Sequence, residues 1–303
     1  MKEKEFINLI KKTLKSEYIG DDCAYLKDLD IVVSQDNLVE NVHFSLDFTT
    51  PYKLGWKAAM VNISDICASG AEPCYLTVGL SLPANIQSGF VEEFYKGLKD
   101  AAAEVKIVGG DITGADKIFI SITAIGKTSG RKISSRKNAK IGQKIIVSGA
   151  HGSSGAGLKL LMSGKHEPVK FINSHLMPEA QIDFSRKIAE SIKEDYAMMD
   201  TSDGLMDALS QIAAASGVNL EVDLKKIPYD SDLKSFENYQ DLIFFGGEDY
   251  QLVACVNEEV ARGFTVIGEV KTGSGVTVLY DDGHKKNFSK FDVEKKLFNH
   301  FDE

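Results

Sequence analysis

Helical and strand patterns alternate along this chain, and this alternation constrains the fold more than any other feature of the sequence. Apolar side chains recur at steps of four, three and four residues in one segment, namely at Trp56, Met60, Ile63 and Cys67. This spacing predicts a helix, and Gly70 is its expected C-cap. The segments "YLTVGLSLP" and "KIFISITAIGK" predict strands, and the second has β-branched residues on both faces. Such alternation favours an α/β or α+β architecture.

The chain of 303 residues is long enough for about two domains. A polar, basic interval, "KTSGRKISSRKNAKIGQK", has turn residues and few apolar anchors. We expect most of its side chains to be solvated, and we place the domain boundary near its end. The predicted domains are residues 1–139 and 140–303. The glycine-rich segment after the boundary matches neither GxGxxG nor GxxxxGK[ST], so it indicates tight strand-to-helix packing.

Charge and cysteine content exclude several classes of protein. The formal net charge of -9 argues against a nucleic-acid surface, which would show a basic stripe. The four cysteines, Cys23, Cys67, Cys74 and Cys255, have no CxxC spacing and are expected to be reduced and buried. No apolar run approaches the ~18 residues of a membrane span, and the amino terminus lacks the apolar core of a signal peptide. We therefore expect a cytoplasmic protein without membrane contact.

Aspartates stand beside glycine, serine or a strand in five short stretches: "GDDCAYL", "VVSQDNLVENVHF", "NISDICASG", "VGGDITG" and "DTSDGLMDAL". Aspartate commonly forms turns and caps helices, so each could be structural. Their positions favour a site instead. Asp36 follows the apolar strand "DIVVSQ", Asp65 lies inside a predicted helix, and Asp111 follows two glycines.

These carboxylates would repel one another if they converged, unless divalent cations lay among them. The ligand atoms would be oxygens, without a suitable cysteine or histidine cluster. Such a site favours a hard cation, and magnesium bound to a nucleotide is the natural candidate.

The order of these stretches resembles the thiamine-monophosphate kinase family, within the larger group that includes aminoimidazole ribonucleotide synthetase and selenophosphate synthetase. The resemblance covers most of the chain: "GDDCAYL", "SQDNLVENVHF", "GWKAAMVNISDICASGAEP", "GGDITG", "DTSDGL" and "GGEDYQL". It implies ATP-dependent phosphorylation of thiamine monophosphate to thiamine diphosphate. It also implies a two-domain fold, with an amino-terminal α/β domain that forms a homodimer and a carboxyl-terminal α/β domain that closes over the nucleotide.

The resemblance also implies roles for individual residues. The implied ligands of several Mg²⁺ ions are Asp22, Ser34, Gln35, Asp36, Asp65, Asp111, Asp200 and Asp203. The implied ATP contacts are Tyr95, Gly110, Arg136 and Ser202, and the implied substrate contacts are His43 and Glu248. No residue is assigned as a catalytic acid or base, because the acceptor is a phosphate monoester with a second pKa of ~6 and is largely a dianion at neutral pH.

Some positions depart from the family pattern. Gln35 stands where the family usually has threonine, and "GGDITGADK" lacks an arginine often found after that turn. The family's carboxyl-terminal aromatic residue over the substrate ring has no assigned counterpart in "FSKFDVEKKLFNHF". Asp207 falls outside the motif and is predicted to be a solvated helix carboxylate. "FFGGEDYQL" is predicted to end a strand and turn at its two glycines.

Two alternatives remain open from the sequence. The first is another ATP-dependent enzyme of the same superfamily with a different acceptor. The second is a non-catalytic protein that binds a magnesium nucleotide. Formation of ADP and thiamine diphosphate separates both from the kinase.

Overall fold

Two β-sheets with their packed helices form the protein, as seen in a computed structural model that describes residues 3–298. The elements around the first sheet are α1 Glu3–Leu14, β1 Ala24–Leu26, β2 Ile31–Val39, α2 Pro51–Ser69, β3 Glu72–Leu82, α3 Ser88–Ala102, β4 Lys106–Gly114 and β5 Phe119–Lys127. Those around the second are β6 Lys144–Val147, α4 Ser153–Met162, α5 Val169–Leu176, α6 Ile182–Ser191, β7 Ala197–Asp200, α7 Leu205–Ser216, β8 Asn219–Asp223, α8 Tyr239–Phe245, β9 Leu252–Val256, α9 Glu258–Ala261, β10 Thr265–Lys271, β11 Gly275–Leu279, β12 Lys285–Phe288 and α10 Lys290–Glu294.

Both sheets are mixed. The first has the strand order β1-β2-β5-β3-β4, in which β3 and β4 run parallel. The second has the order β12-β11-β8-β10-β6-β9-β7, in which β8 and β11 run parallel. The predicted α/β architecture with two domains is confirmed. The boundary between residues 139 and 140 stays a prediction, and residues 1–2 and 299–303 of the two predicted domains lie outside the described part of the chain.

Helix α2 is the predicted helix, and it lies where the two domains meet. Thr50 caps its amino terminus by accepting a hydrogen bond from the backbone N–H of Lys53, and Pro51 occupies the first turn. Gly70 ends the helix in the left-handed conformation at φ 81°, as predicted. The helix contacts β2 and β5 of the first sheet, and it also contacts β7 and α6 of the second domain. Residues of α2 can therefore reach side chains of both domains.

Close packing of α2 on α3 depends on Gly97. A Cβ atom added there would lie 1.9 Å from the Tyr52 carbonyl oxygen, whereas one added at Gly89 of the same helix would meet no described atom within 4 Å. We expect Gly97→Ala to lower the free energy of unfolding by about 2 kcal/mol through overpacking. Gly89→Ala, the matched control, should raise it by about 0.5 kcal/mol through the entropy of the unfolded chain. Urea unfolding measures both, and equal effects would contradict this account.

Two local predictions were wrong. Strand β2 does not end before Asp36 but continues through it, since Asp36 pairs with Ile122 of β5. The segment "FFGG" ends the helix α8 rather than a strand. A short apolar run fits a buried helix and a buried strand equally well, and only its surroundings decide between them.

The cysteines are unpaired, and Cys23, Cys67 and Cys255 are buried while Cys74 is half-buried. Among residues 3–298, no helix has both the length and the apolar character required to span a bilayer.

Candidate active site

Three carboxylates converge at the junction of the two domains. Asp22 precedes β1, Asp65 lies in α2, and Asp200 ends β7. One oxygen atom from each lies within 4.8 Å of the others. Spacing along the chain could not show this convergence, because more than a hundred residues separate Asp65 from Asp200.

Hydroxyl groups hold these carboxylates in place. Ser64 Oγ donates a hydrogen bond to Asp200 Oδ2 at 2.6 Å, and Ser202 Oγ donates to Asp200 Oδ1 at 3.0 Å. Ser34 Oγ donates to Asp65 Oδ2. Ser64 was missed by the sequence interpretation, although a serine beside Asp65 was a usable signal. The bond from Ser64 to Asp200 joins the two domains.

Asp36 lies beside this group. Its backbone N–H donates to Asn62 Oδ1 at 3.1 Å, so a second polar residue of α2 fixes the strand. The charges of Asp200, Asp22 and Asp203 act on Asp36. The site therefore brings together five of the predicted acidic ligands.

Burial and mutual repulsion make this cluster unfavourable when it is fully ionised. Burial raises the pKa of Asp22 to about 6, a value that already includes the lowering effect of Arg136 and the raising effect of Asp200. Burial and Asp200 raise the pKa of Asp36 to about 7. Burial also raises the pKa of Asp65 well above its usual range and raises that of Asp200. A cluster of oxygen ligands with this excess charge fits a hard divalent cation such as Mg²⁺.

Arg136 supplies a positive charge beside the cluster. Its Nη2 donates to Asp22 Oδ1 at 2.7 Å, and its Nη1 donates to Gln211 Oε1 at 2.6 Å. Gln211 Nε2 in turn donates to Asp207. The prediction of a solvated Asp207 was wrong, because its exposed fraction is only 1%. Arg136 is also largely buried, unlike the solvated side chains expected for the basic interval.

Glu248 forms a second polar group close by. Its Oε1 lies 2.8 Å from Lys57 Nζ of α2, and its Oε2 lies 3.3 Å from His175 Nδ1 of α5. Burial alone would raise the pKa of Glu248, but Lys57, His175 and His43 together hold it below its usual value. The predicted substrate residues His43 and Glu248 are thus near one another. Lys57 and His175 were missed by the sequence interpretation.

Tyr250 connects the two groups. Burial raises the pKa of its hydroxyl well above the usual range, and Glu248, Asp36 and Asp200 each add to this effect through their charges. The Glu248 backbone N–H also donates to the Ser202 carbonyl oxygen at 2.6 Å, and Ser202 Oγ donates to Asp200, so Glu248 and the aspartate cluster are neighbours. Tyr250 was not predicted, although it stands in the "GGEDYQL" segment.

Other predicted residues lie apart from the cluster. Gly110 shares a row of the sheet with Asp36, but three strand spacings, about 14 Å, separate them. Asp111 follows Gly110 and is exposed. The Gln35 amide accepts a hydrogen bond from Thr123 and donates one to Ser121, on the opposite face of β2 from Asp36. Tyr95 packs edge-on against Phe94, with ring centroids 5.4 Å apart.

The carboxyl-terminal segment offers several phenylalanines for the unassigned aromatic position. Phe288 is buried, whereas Phe291 and Phe298 are 62% and 72% exposed. Phe301 lies outside the described residues. The predicted cover of the substrate ring therefore stays unassigned.

Comparison with known proteins gives the family. Residues 20–128 match the AIR synthase related protein, N-terminal domain, and residues 140–281 match the corresponding C-terminal domain. Thiamine-monophosphate kinase of Aquifex aeolicus is 39% identical, over 97% of this chain and 96% of that protein. The Bacillus subtilis enzyme of the same name is 33% identical, over 93% of each. The structure of AaThiL complexed with AMPPCP and TMP superposes with a TM-score of 0.87 at 36% identity, over 99% of this chain and 97% of that chain. The chain therefore belongs to the thiamine-monophosphate kinase family, within the AIR synthase related proteins.

Proposed function

We propose that this protein transfers the γ-phosphoryl group of ATP to the phosphate of thiamine monophosphate, forming thiamine diphosphate and ADP. The observation that carries the proposal is the convergence of Asp22, Asp65 and Asp200 at the junction of the two domains. The Glu248 group is next to it, because the Glu248 N–H donates to the carbonyl of Ser202, whose hydroxyl donates to Asp200. A related protein, AaThiL, is known in complex with AMPPCP and TMP. AMPPCP is an analogue of ATP, so this complex supports a site for a nucleotide donor.

Several Mg²⁺ ions would be held by the carboxylates of the cluster, namely Asp22, Asp36, Asp65, Asp200 and Asp203, with the Ser34 hydroxyl beside them. Bound magnesium supplies positive charge at the oxygens of the transferring phosphoryl group. Gln35 could contribute only its backbone carbonyl at this place, because its amide lies on the other face of the strand. Asp111 remains a proposed ligand, although it lies across the sheet from the cluster.

The protein's own groups would bind and orient the two substrates. Arg136 would exchange its contact with Asp22 for a phosphate of ATP, with Ser202, Gly110 and Tyr95 as the other proposed nucleotide contacts. Glu248 and His43 would bind thiamine monophosphate. No acid or base is needed, because the acceptor phosphate is largely a dianion and positioning with electrostatics supplies the catalysis.

We also propose that the protein forms a homodimer through its first sheet. Strand β4 is an edge strand in the single chain, with Val108 55% and Ile112 63% exposed. A long edge strand with exposed apolar residues usually requires a cover, and a second copy of the chain would provide one. We also propose that the reaction takes place in the cytoplasm, because ATP is available in that compartment.

The reaction can be tested with purified protein, MgATP and thiamine monophosphate. We expect ADP and thiamine diphosphate to form in equal amounts, as measured by chromatography of the same sample. Omission of thiamine monophosphate is the control and should leave ATP intact. Binding of MgATP without any thiamine diphosphate would refute the kinase and favour a nucleotide-binding protein, whereas ADP formation with a different acceptor would favour another enzyme of the superfamily.

A further inference from the structure

Lys57 is a buried cation whose role no sequence pattern explains. It lies in the middle of α2, and only 3% of its surface is exposed. Lysine is almost never buried to this extent without a partner. Its partner is Glu248 Oε1 at 2.8 Å, a residue of the other domain. The position of Lys57 is therefore tied to that of one carboxylate.

Glu248 is held in an unusual conformation. Its backbone φ is 64°, in the left-handed region that side chains other than glycine rarely adopt, and Tyr250 shares this feature at φ 47°. Such strain persists where surrounding contacts fix the chain, and it is concentrated at binding sites. The Glu248 side chain is 26% exposed, so a ligand can reach part of it while its two oxygens lie beside Lys57 and His175.

His175 does not duplicate the charge of Lys57. Burial and the nearby Lys57 lower the pKa of His175 to about 4, so its ring is neutral at neutral pH. Its Nδ1 also lies 3.1 Å from Ser154 Oγ. The neutral His175 ring thus faces one oxygen of the half-buried Glu248 carboxylate, whereas Lys57 supplies the positive charge beside the other oxygen.

We propose that Lys57 is a positioning residue for thiamine monophosphate: it fixes Glu248, across the domain junction, in the orientation that binds the acceptor. This inference rests on the proposed function. Thiamine monophosphate has an exocyclic amino group and a cationic thiazolium ring. An ionised carboxylate that is held in a fixed orientation can accept a hydrogen bond from the amino group or lie next to the positive charge of the thiazolium ring. Without Lys57, Glu248 would lose both its direction and its compensating charge.

Steady-state kinetics of four proteins test this role: the wild type, Lys57→Met, Glu248→Gln and the double variant. We expect Lys57→Met to raise the KM for thiamine monophosphate about tenfold or more, as for truncation of one partner in a buried charge pair that water can partly reach. The KM for ATP should change less than about twofold, because Lys57 has no proposed nucleotide contact. Glu248→Gln should raise the same KM.

The double variant separates positioning from a structural effect. If Lys57 acts through Glu248, adding Lys57→Met to Glu248→Gln should raise the KM less than about twofold further, since the interaction is already lost. The double variant also lacks an unpaired buried charge, so it remains measurable if Lys57→Met alone folds poorly. Lys99→Met, on the exposed side of α3, is the charge-matched control and should match the wild type.

Two results would overturn the inference. One is a KM for thiamine monophosphate that rises in the double variant by the product of the two factors seen in Lys57→Met and Glu248→Gln. The other is a loss of kcat with an unchanged KM for thiamine monophosphate. The wild type in the same assay tests the proposed function separately: a wild type that forms no thiamine diphosphate refutes the kinase, whereas an active wild type with either result above refutes only the role of Lys57.

Discussion

Asp36→Asn is expected to lower kcat at least about 100-fold, as for removal of one preorganised electrostatic group in other active sites. The variant keeps the shape of the side chain and removes its charge, so a cation in the cluster would lose a carboxylate ligand. The fold should be retained, because Asp36 is repelled by Asp200, Asp22 and Asp203 in the protein without metal. The measurement is kcat over a range of magnesium concentrations, together with the melting temperature.

Asp183→Asn is the control for this variant, since Asp183 is an exposed carboxylate of α6 whose side chain is 83% accessible. It should have the wild-type kcat. A kcat of Asp36→Asn close to that of the wild type, with the same dependence on magnesium, would show that Asp36 lies outside the metal site.

Magnesium is expected to stabilise the protein more at about pH 8 than at about pH 5.5. An unperturbed aspartate has a pKa of about 3.9. In the folded protein, burial raises the pKa of Asp22 to about 6 and that of Asp36 to about 7. Protons therefore stabilise the metal-free fold below about pH 4, and this contribution is lost as the pH rises through 6 to 7. Magnesium would bind the ionised cluster and so restore stability at about pH 8, where the contribution of the protons has been lost.

Thermal unfolding with magnesium or with a chelator measures this effect. If the stabilisation by magnesium is about 2 kcal/mol larger at pH 8 than at pH 5.5, magnesium should raise the melting temperature by roughly 4 °C more at pH 8. Asp36→Asn should show a smaller difference, because one of the raised groups no longer titrates. An equal gain from magnesium at both pH values would contradict a metal site built on these carboxylates.

The sequence was most informative where a local pattern decides the structure. Helix α2 was predicted from its apolar spacing and its Gly70 cap, and Asp65 was identified because aspartate is unusual inside such a helix. The family resemblance then indicated which other aspartates belong with it. Convergence itself depends on the folded chain, and the structure places Asp22, Asp65 and Asp200 together.

Contacts between distant segments were beyond local patterns. Lys57 looks like an ordinary helix lysine until Glu248 is placed beside it, 191 positions later in the chain. Asp207 shows the converse error: it lies outside the motif and was predicted to be solvated, but it is buried and accepts a hydrogen bond from Gln211, which is itself bound by Arg136. Polar residues on a helix between two domains face a partner that helical periodicity does not reveal.

The position of α2 also means that the two halves of this protein are not interchangeable parts. By sequence α2 belongs to the amino-terminal half, but Lys57 and Ser64 bind Glu248 and Asp200 of the other half. A chimera that joins the amino-terminal half to the carboxyl-terminal half of a relative must therefore carry matched residues at these four positions. The structural unit at this site is therefore larger than either sequence domain, and its limits follow the contacts of one helix.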